Sequence, residues 1–486
     1  MSARAGRGSA GAGRGSAGAG RGSAAGRWAG RDGWLLTVCA SRACTQLVFL
    51  IYPACVSVLL PAWRMSAAAA GSISTGFQLG FAVSLFGCSW LADRVGARPV
   101  YLGSLGAAAV ASAAFALFAR SYTSGLVLYT LVAVALGGTY TTLIMLVADR
   151  YEPGRRGGAV GWLIAASSLG SAVSLGSAGL ALPRGGYPLA FAVAAGGVAV
   201  GALLGWTAMR GVPTVVHRRR AGRGPDATAA PGAAAGAGDP AAPAPGPVIA
   251  ARGPTTAAPA TEARSPTPAA RTPSIVRLVA GYVFHSWELL AMWAWTPAFL
   301  AASLRATGAA AGRAVAGASY VAAAFHLIGL VASATMGRLS DRLGRRAVLL
   351  WLAGASAACS FAIGWLVAAP PALVAGVGAL YAFTALGDSP VLSVALTETV
   401  PPSSLGTALA VRSLLGFGAG ALSPLVFGAV LDATNPTGVP TVWGWAYATL
   451  GAGGALAALC AHGLPAGPVA PAVGRPQAPY GPPADG

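Results

Sequence analysis

The sequence contains no lysine, and only 9% of its 486 residues are charged. Soluble globular domains carry about 25% charged residues, so an ordinary water-exposed surface is excluded. The net charge of +19 comes from arginines that lie mostly in low-complexity segments and short loops, which argues against nucleic-acid binding. There is no Walker loop, nucleophile triad, metal-ligand spacing or C-x-x-C pair. We therefore predict no enzyme activity, no cofactor and no metal site.

Long apolar runs dominate the chain, which is 55% hydrophobic with a mean hydropathy of +0.65. Each run is about 20 residues long, the length that an α-helix needs to cross a bilayer. The sequence thus predicts an all-α membrane protein of twelve transmembrane helices in two six-helix bundles. The predicted spans are 34–60, 72–91, 99–118, 125–147, 158–182, 187–209, 275–304, 314–336, 347–367, 372–396, 405–431 and 442–464.

Three segments lack apolar runs and are predicted to be disordered. Residues 1–33 repeat Gly-Arg-Gly-Ser-Ala units without the apolar centre of a signal peptide, and we expect a cytoplasmic tail. Residues 210–274 are rich in Ala, Pro, Gly and Arg, which indicates a cytoplasmic linker. It separates a first bundle at 34–209 from a second at 275–464, and a Pro-rich cytoplasmic tail occupies 465–486.

A charged turn occurs twice, with each copy wedged between apolar runs. Asp93-Arg94-Val95-Gly96-Ala97-Arg98 and Asp341-Arg342-Leu343-Gly344-Arg345-Arg346 are 248 residues apart at every matching position. A second set of matches, Pro153 with Pro402, Gly157 with Gly406 and Ala159 with Ala408, has an offset of 249. The agreement of the two offsets indicates a duplicated six-helix unit.

Arginine counting predicts how the chain is oriented in the membrane. With a cytoplasmic N-terminus, nine arginines lie in the short cytoplasmic loops and five in the opposite short loops. Because short cytoplasmic loops carry an excess of basic residues, we expect both termini inside. The predicted location is the cell's inner (plasma) membrane, where lipid surrounds the multi-pass chain.

The doubled turn resembles the signature loop of the major facilitator superfamily, and the similarity extends from about Trp34 to Leu464. The second copy has the family's pattern in full, with Gly337, Asp341, Arg342, Gly344, Arg345 and Arg346. The first copy matches at Asp93, Arg94, Gly96 and Arg98, whereas Ser89 and Ala97 depart from the pattern. The resemblance implies the fold of that family, secondary transport by alternating access and a monomeric transporter.

These loops have two interpretations. The first is a gate, in which Asp93 accepts hydrogen bonds from the N–H groups that open the eleventh helix near Ser403 to Gly406, and Asp341 does the same near Gly157. Such contacts would form when the cytoplasmic side closes and break when it opens. The second is that the loops only set topology, although positive charge alone does not require the aspartates.

Ionisable residues inside the spans point to a transport path because they are costly in a bilayer. They are Arg42 in the first span, His285 and Glu288 in the seventh, His326 in the eighth, Asp388 in the tenth and Arg412 in the eleventh. The resemblance places Arg42, Glu288 and Asp388 on helices that line the central cavity. We hypothesise that Glu288 exchanges a proton, while Arg42 pairs with Glu288 or with an anionic substrate. The alternatives are that Arg42 snorkels to the interface and that Glu288 forms a buried structural pair.

Other residues of the spans also have two interpretations. His285 shares a helix face with Glu288, three residues away. Asp388 is either a cation or proton site or a local cap beside Ser389, and Arg412 either attracts an anion or ties its helix to a neighbour. Trp295 either packs against a ring-bearing substrate or serves bundle packing.

The prediction is a secondary transporter, proton-coupled, that moves a small solute, with a small organic or inorganic anion favoured. An arginine that the family's fourth helix often carries in proton-coupled exporters is missing, since Ala133 and Val134 stand four residues before Gly137 and Gly138. One alternative is efflux of apolar or cationic drug-like compounds. Another is a transport-dead sensor or scaffold, against which the intact charged loops argue.

Overall fold

The computed structural model describes residues 33–216, 268–401, 404–437 and 441–466. Within them the chain forms twelve helices. The first half has α1 (Gly33–Ala62), α2 (Ala67–Val95), α3 (Ala97–Phe118), α4 (Tyr122–Arg150), α5 (153–184) and α6 (187–208). The second half has α7 (Pro268–Ala306), α8 (Ala311–Leu343), α9 (Arg345–Ile363), α10 (Pro371–Thr399), α11 (Leu405–Thr434) and α12 (Gly444–His462).

Helix α1 is interrupted within its length, and helices α5 and α6 are joined directly to each other. A 3₁₀ turn at Gln46–Val48 interrupts α1. Helices α5 and α6 follow each other without a loop in the segment Pro153–Ala208, and Gly185 and Gly186 leave helical geometry between them. Gly186 has a φ of 63°, which L residues with a side chain rarely adopt, so the glycine permits the sharp reversal.

The predicted fold class is confirmed. Eleven helical segments of the described residues are long and apolar enough to cross a membrane. The longest of them contains both α5 and α6 and is long enough to cross twice, which brings the number of crossings to twelve. One predicted boundary was wrong, because α7 begins at Pro268, inside the predicted linker 210–274. The chain is already helical over residues 268–274, ahead of the apolar run on which the prediction rested. The rest of that linker after residue 216, and the two tails apart from Gly33, Pro465 and Ala466, lie outside the described residues.

The two charged turns adopt the same backbone conformation. Gly96 has a φ of 93° and Gly344 a φ of 88°, and each separates two helices by a single residue. Their N–H groups donate to the carbonyls of Ala92 (2.8 Å) and Ser340 (3.1 Å). A glycine in the left-handed region after a helix is a common C-cap. The duplication inferred from sequence spacing therefore extends to the backbone.

Both bundles have an equivalent hydrogen bond from an arginine of the third helix to the end of the sixth. Arg98 donates from Nε to the carbonyl of Met209 at the end of α6 (3.2 Å). The equivalent Arg346 donates to the carbonyl of His462 at the end of α12 (3.1 Å). Cations are favourable at helix C-termini, where carbonyls lack helical partners. In both halves the third helix is thus bonded to the sixth.

The packing of the two halves differs between the two ends of the molecule. At the charged-loop end, defined by the turns 93–98 and 341–346, each half has a separate apolar core. At the opposite end one continuous core includes residues of both halves, from Phe77 and Tyr129 to Trp295 and Tyr447. The halves meet there through α1 with α7, α2 with α11 and α5 with α8. The halves are therefore packed together at the end opposite the charged loops, and we infer that the groove between them opens toward the charged loops.

Candidate functional site

Arg42 is buried in the first half, with 3% of its surface exposed. Its Nε donates to Ser167 Oγ on α5 (2.8 Å), and its Nη1 to Thr139 Oγ1 on α4 (3.4 Å). The guanidinium lies 5.1 Å from the centre of the Tyr140 ring. Its Nη2 is buried without a hydrogen-bond partner among the described residues. Arg42 does not snorkel, and it presents a positive charge with an uncommitted donor.

Gln46 adds a second uncommitted donor that the sequence analysis missed. It lies four residues after Arg42, hence on the same face of α1, at the start of the 3₁₀ turn. Its Nε2 is buried and has no partner in the part of the chain that the structure describes. A glutamine one turn from a membrane-buried arginine was the sequence signal for this pair. We call Arg42, Gln46, Thr139, Tyr140 and Ser167 the donor cluster.

The acidic residues of the second half form a separate cluster. His285 Nδ1 on α7 lies 2.8 Å from Asp388 Oδ1 on α10, and both side chains are buried. Glu288, one turn further along α7, accepts hydrogen bonds at Oε1 from Ser356 and Ser360 of α9, both 2.8 Å long. We call His285, Glu288 and Asp388 the acidic cluster. Asp388 thus pairs across helices.

The Glu288 side chain faces the interior of its own bundle. Its carboxylate points toward α9 and α12, since a Cβ added at Gly454 would lie 2.9 Å from Oε2. It is therefore enclosed within the second bundle in this conformation, although the resemblance places α7 among the helices that line the central cavity. Glu288 does not contact Arg42, whose described partners all belong to the first bundle. The physical reason is that the paired serines of α9 satisfy the carboxylate more closely than an open groove would.

Arg412 and Trp295 contact neighbouring helices of their own bundle. Arg412 donates from Nη1 to Ser393 Oγ on α10 (2.8 Å) and stacks 4.0 Å from the Tyr282 ring on α7. Trp295 donates from Nε1 to the Pro424 carbonyl on α11 (3.0 Å) and stacks on Phe427. In this conformation the two residues bridge helices.

A small cavity of about 20 Å³, roughly the room that one water molecule needs, lies between the halves. Leu175 of the first half and Trp293, Phe325 and His326 of the second half contribute to its mostly apolar lining. The Trp293 and His326 rings are 5.7 Å apart, and the Trp293 indole N–H is buried with no partner within the described ranges. The sequence pointed to His326 as an ionisable residue of the eighth span, but it did not single out Trp293.

The charged loops are held mainly within their own halves. Arg345 pairs with Asp341 (2.5 Å) and makes a two-point contact with Glu398 of α10 (2.7 and 3.1 Å). It also bonds to the carbonyl of Gly337. Arg94 lies over the Trp90 ring (3.7 Å), and Arg342 and Asp93 are exposed. The predicted gating contacts of the two aspartates are not formed among the described residues, as expected for a groove open at this end.

The comparisons with known proteins agree with this architecture. The profile described as Major Facilitator Superfamily matches residues 35–312 and again 278–482. The MFS-type transporter ppzB of Metarhizium rileyi (strain RCEF 4871) is 28% identical over 175 residues. This match covers 35% of the chain and 36% of that relative, so the chain aligns with only about a third of its length.

Solved structures share the fold at low sequence identity. A variant of the nucleoside transporter NupG has a TM-score of 0.63 at 13% identity, and the match covers 88% of this chain and 98% of that one. The D-xylose-proton symporter has a TM-score of 0.62 at 16% identity, with coverages of 88% and 96%. A bacterial homologue of the human lysosomal transporter Spinster, inward-facing and unoccupied, has a TM-score of 0.62 at 16% identity, with coverages of 89% and 95%.

Proposed function

The chain belongs to the major facilitator superfamily, and we propose that it is a proton-coupled secondary transporter that carries a small anion, organic or inorganic, by alternating access. The proposed location is the plasma membrane, with the charged loops and both termini in the cytoplasm. That the chain is a membrane transporter follows from its family. The substrate class, the proton and the orientation are our proposal.

The donor cluster is the single observation that carries the anion proposal. A buried arginine with only hydroxyl and aromatic partners carries a full positive charge that no carboxylate among the described residues compensates. The cost of such a charge in a membrane falls when an anion binds beside it. Arg42 Nη2 and Gln46 Nε2 are buried donors without a partner among the described residues, and in our proposal the anion binds to them. Arginine and amide donors are well matched to carboxylate or phosphate oxygens.

The acidic cluster supports proton coupling. With His285 neutral, two ionised carboxylates and nearby Arg412 leave the interior of the second bundle with one net negative charge. One bound proton removes it, whether it resides on Glu288 or on His285. Burial in a membrane strongly favours the neutral arrangement, so this bundle is suited to hold and release one proton. One protein of similar fold is named a proton symporter.

Ligand-induced stabilisation of the purified protein tests the anion proposal. We would measure thermal unfolding with aliphatic and aromatic carboxylates, inorganic phosphate, sugars, nucleosides and cationic dyes. An anion should raise the unfolding temperature of the wild type, because binding to the folded state alone stabilises it. The effect should be lost in Arg42→Ala and reduced in Gln46→Met, whereas Arg42→Lys should retain part of it.

Arg313→Ala is the matched control, since Arg313 is exposed at the closed end of the molecule. An anion response that persists in Arg42→Ala would overturn the proposal. Stabilisation by cationic dyes alone would favour the second candidate, efflux of apolar or cationic compounds. The observation that favours that candidate is the mostly apolar lining where the halves meet, in which the Trp293 indole N–H has no partner among the described residues and the ring lies beside His326.

A further inference from the structure

The two halves are joined at the closed end by one carboxylate. Asp432, near the end of α11 in the second half, accepts hydrogen bonds from the backbone N–H groups of Ala67 and Ala68 in the first half. Both distances are 2.8 Å, with one carboxylate oxygen to each N–H. Ala67 and Ala68 are the first two residues of α2. The contact therefore crosses between the bundles at the start of a helix.

The first half by itself caps only part of this helix start. The first four N–H groups of an α-helix have no partner in the preceding turn. Ser66 Oγ accepts from Ala69 (3.2 Å), and the Ser66 carbonyl accepts from Ala70 (3.0 Å). The N–H groups of Ala67 and Ala68 are bonded to Asp432 instead. The N-terminus of α2 also carries the positive end of the helix dipole, which favours a carboxylate.

The backbones of the two helices touch below this contact. A Cβ at Gly428 would lie 2.2 Å from the Ala67 carbonyl oxygen, and a Cβ at Gly71 would lie 2.1 Å from the Pro424 carbonyl oxygen. Glycine at both positions thus lets α2 and α11 approach closely over one helical turn. The carboxylate contact and the close approach form together, and both end if the halves separate here.

The other end of the same helix pair has the reverse arrangement. Asp93 lies near the end of α2 and is exposed, while α11 begins at Leu405. Ser404, the N-cap of α11, makes no side-chain capping bond. At one end of the pair the α11 carboxylate caps α2. At the other end the α2 carboxylate is exposed, and the N-cap residue of α11 makes no side-chain cap.

We propose that Asp432 is the closed-end gate residue, which holds the groove shut opposite the charged loops by capping α2 across the two halves. It is a positioning residue, since it sets the conformation and touches no substrate. Asp93 capping α11 would be the alternative contact, formed when the molecule opens at the other end. Each conformation then keeps one capped helix start and releases the other. This inference rests on the alternating-access part of the proposed function and not on its anion or proton.

Distances between paired spin labels test the proposal in ligand-free protein. The labels would be placed at Arg120→Cys with Arg313→Cys across the closed end, and at Val95→Cys with Leu343→Cys across the charged-loop end, after replacement of the native cysteines. All four positions are exposed in the structure. Asp432→Asn should lengthen the first distance and shorten the second, with roughly a tenfold rise in the population open at the Asp432 end.

Three further variants complete the design. Asp432→Glu keeps the carboxylate and should retain the wild-type distances. Thr434→Ala is the matched control, because the Thr434 hydroxyl donates to the Val430 and Leu431 carbonyls of its own helix and accepts from the neighbouring Asn435 Nδ2, all within the second half. If Asp432→Asn does not fold, Gly428→Ala should give the same shift by separating the backbones.

Unchanged distances in Asp432→Asn, or an equal shift in Thr434→Ala, would overturn the gate. Because no substrate or proton gradient is used, this failure is distinct from failure of the anion or proton proposal.

Discussion

At the scale of single residues, Arg42 and Glu288 show that a position within a membrane span predicts burial but does not predict the direction of the side chain. The sequence correctly indicated that both are buried within spans. It did not indicate their direction, because successive residues of an α-helix turn by about 100° and one irregular turn rotates all that follows. Glu288 faces the serines of α9, whereas Arg42 faces α4 and α5. That both residues lie within membrane spans therefore did not mean that their side chains form a pair.

Glu288→Gln should uncouple transport from the proton while leaving the bundle intact. The amide oxygen of glutamine still accepts from Ser356 and Ser360, so packing is preserved, but the side chain no longer takes up a proton. In proteoliposomes we expect wild-type uptake of the stabilising anion to rise as the external pH falls. The variant should lose gradient-driven uptake yet retain exchange of labelled for unlabelled substrate.

Ser356→Ala is a suitable comparison, because it removes one donor to Glu288 and keeps the carboxyl. It should retain the pH dependence. Normal proton-driven uptake by Glu288→Gln would exclude this residue from the coupling role.

At the scale of helices and turns, the sequence was most informative where several signals for the end of a helix coincided. In the turns 93–98 and 341–346 an apolar run ends, charged residues follow and a glycine is present. The structure has a break between helices at Gly96 and at Gly344, as expected. The start of α7 was less predictable, because its first residues include Pro268, Thr272 and Pro273 and because the helix extends beyond the apolar run. The 3₁₀ turn of α1 itself contains no Gly or Pro, and its nearest sequence signal is Pro53, which has no N–H to donate to the Phe49 carbonyl. The contact between Gly71 and Pro424 depends on tertiary packing alone.

The two turn glycines give an internally controlled prediction of stability. Gly344→Ala should cost roughly 1–2 kcal/mol, because alanine disfavours the left-handed conformation and nothing lies within 4 Å of the added Cβ. Gly96→Ala should cost more. Its Cβ would lie 2.6 Å from Thr214 Cγ2 and 3.0 Å from the Val215 carbonyl oxygen, in addition to the same backbone strain.

Thermal unfolding of the two variants in one detergent measures the difference. We expect both midpoints to fall below that of the wild type, with Gly96→Ala the lower. Equal midpoints would mean that the segment after α6 does not pack against Gly96 as described.

At the scale of the whole molecule, the sequence predicted the twelve helices and the two halves, and the structure and family confirm both. It could not predict which end is closed. That depends on whether the apolar residues of one half meet those of the other at a given end, which the apolar pattern along each span does not specify. The shared core at one end, with separate cores at the charged-loop end, answers this from packing.

The orientation proposed for the membrane yields a direct labelling prediction. Single cysteines at Val95→Cys and Leu343→Cys should react with a membrane-impermeant maleimide only after cells are permeabilised, because both turns face the cytoplasm in our proposal. Cysteines at Arg120→Cys and Arg313→Cys should react in intact cells. Reaction of Val95→Cys and Leu343→Cys from different sides would contradict the duplicated architecture.

The bonds from Arg98 to Met209 and from Arg346 to His462 have a consequence for biosynthesis. They join residues 111 and 116 positions apart, so neither forms until the last helix of its bundle has been synthesised and inserted. Until then each guanidinium must remain hydrated at the membrane surface while three more helices enter. Insertion intermediates that lack the sixth or the twelfth helix should thus leave this guanidinium without the helix-end carbonyl that it bonds in the finished protein, which would distinguish an incomplete half from a complete one.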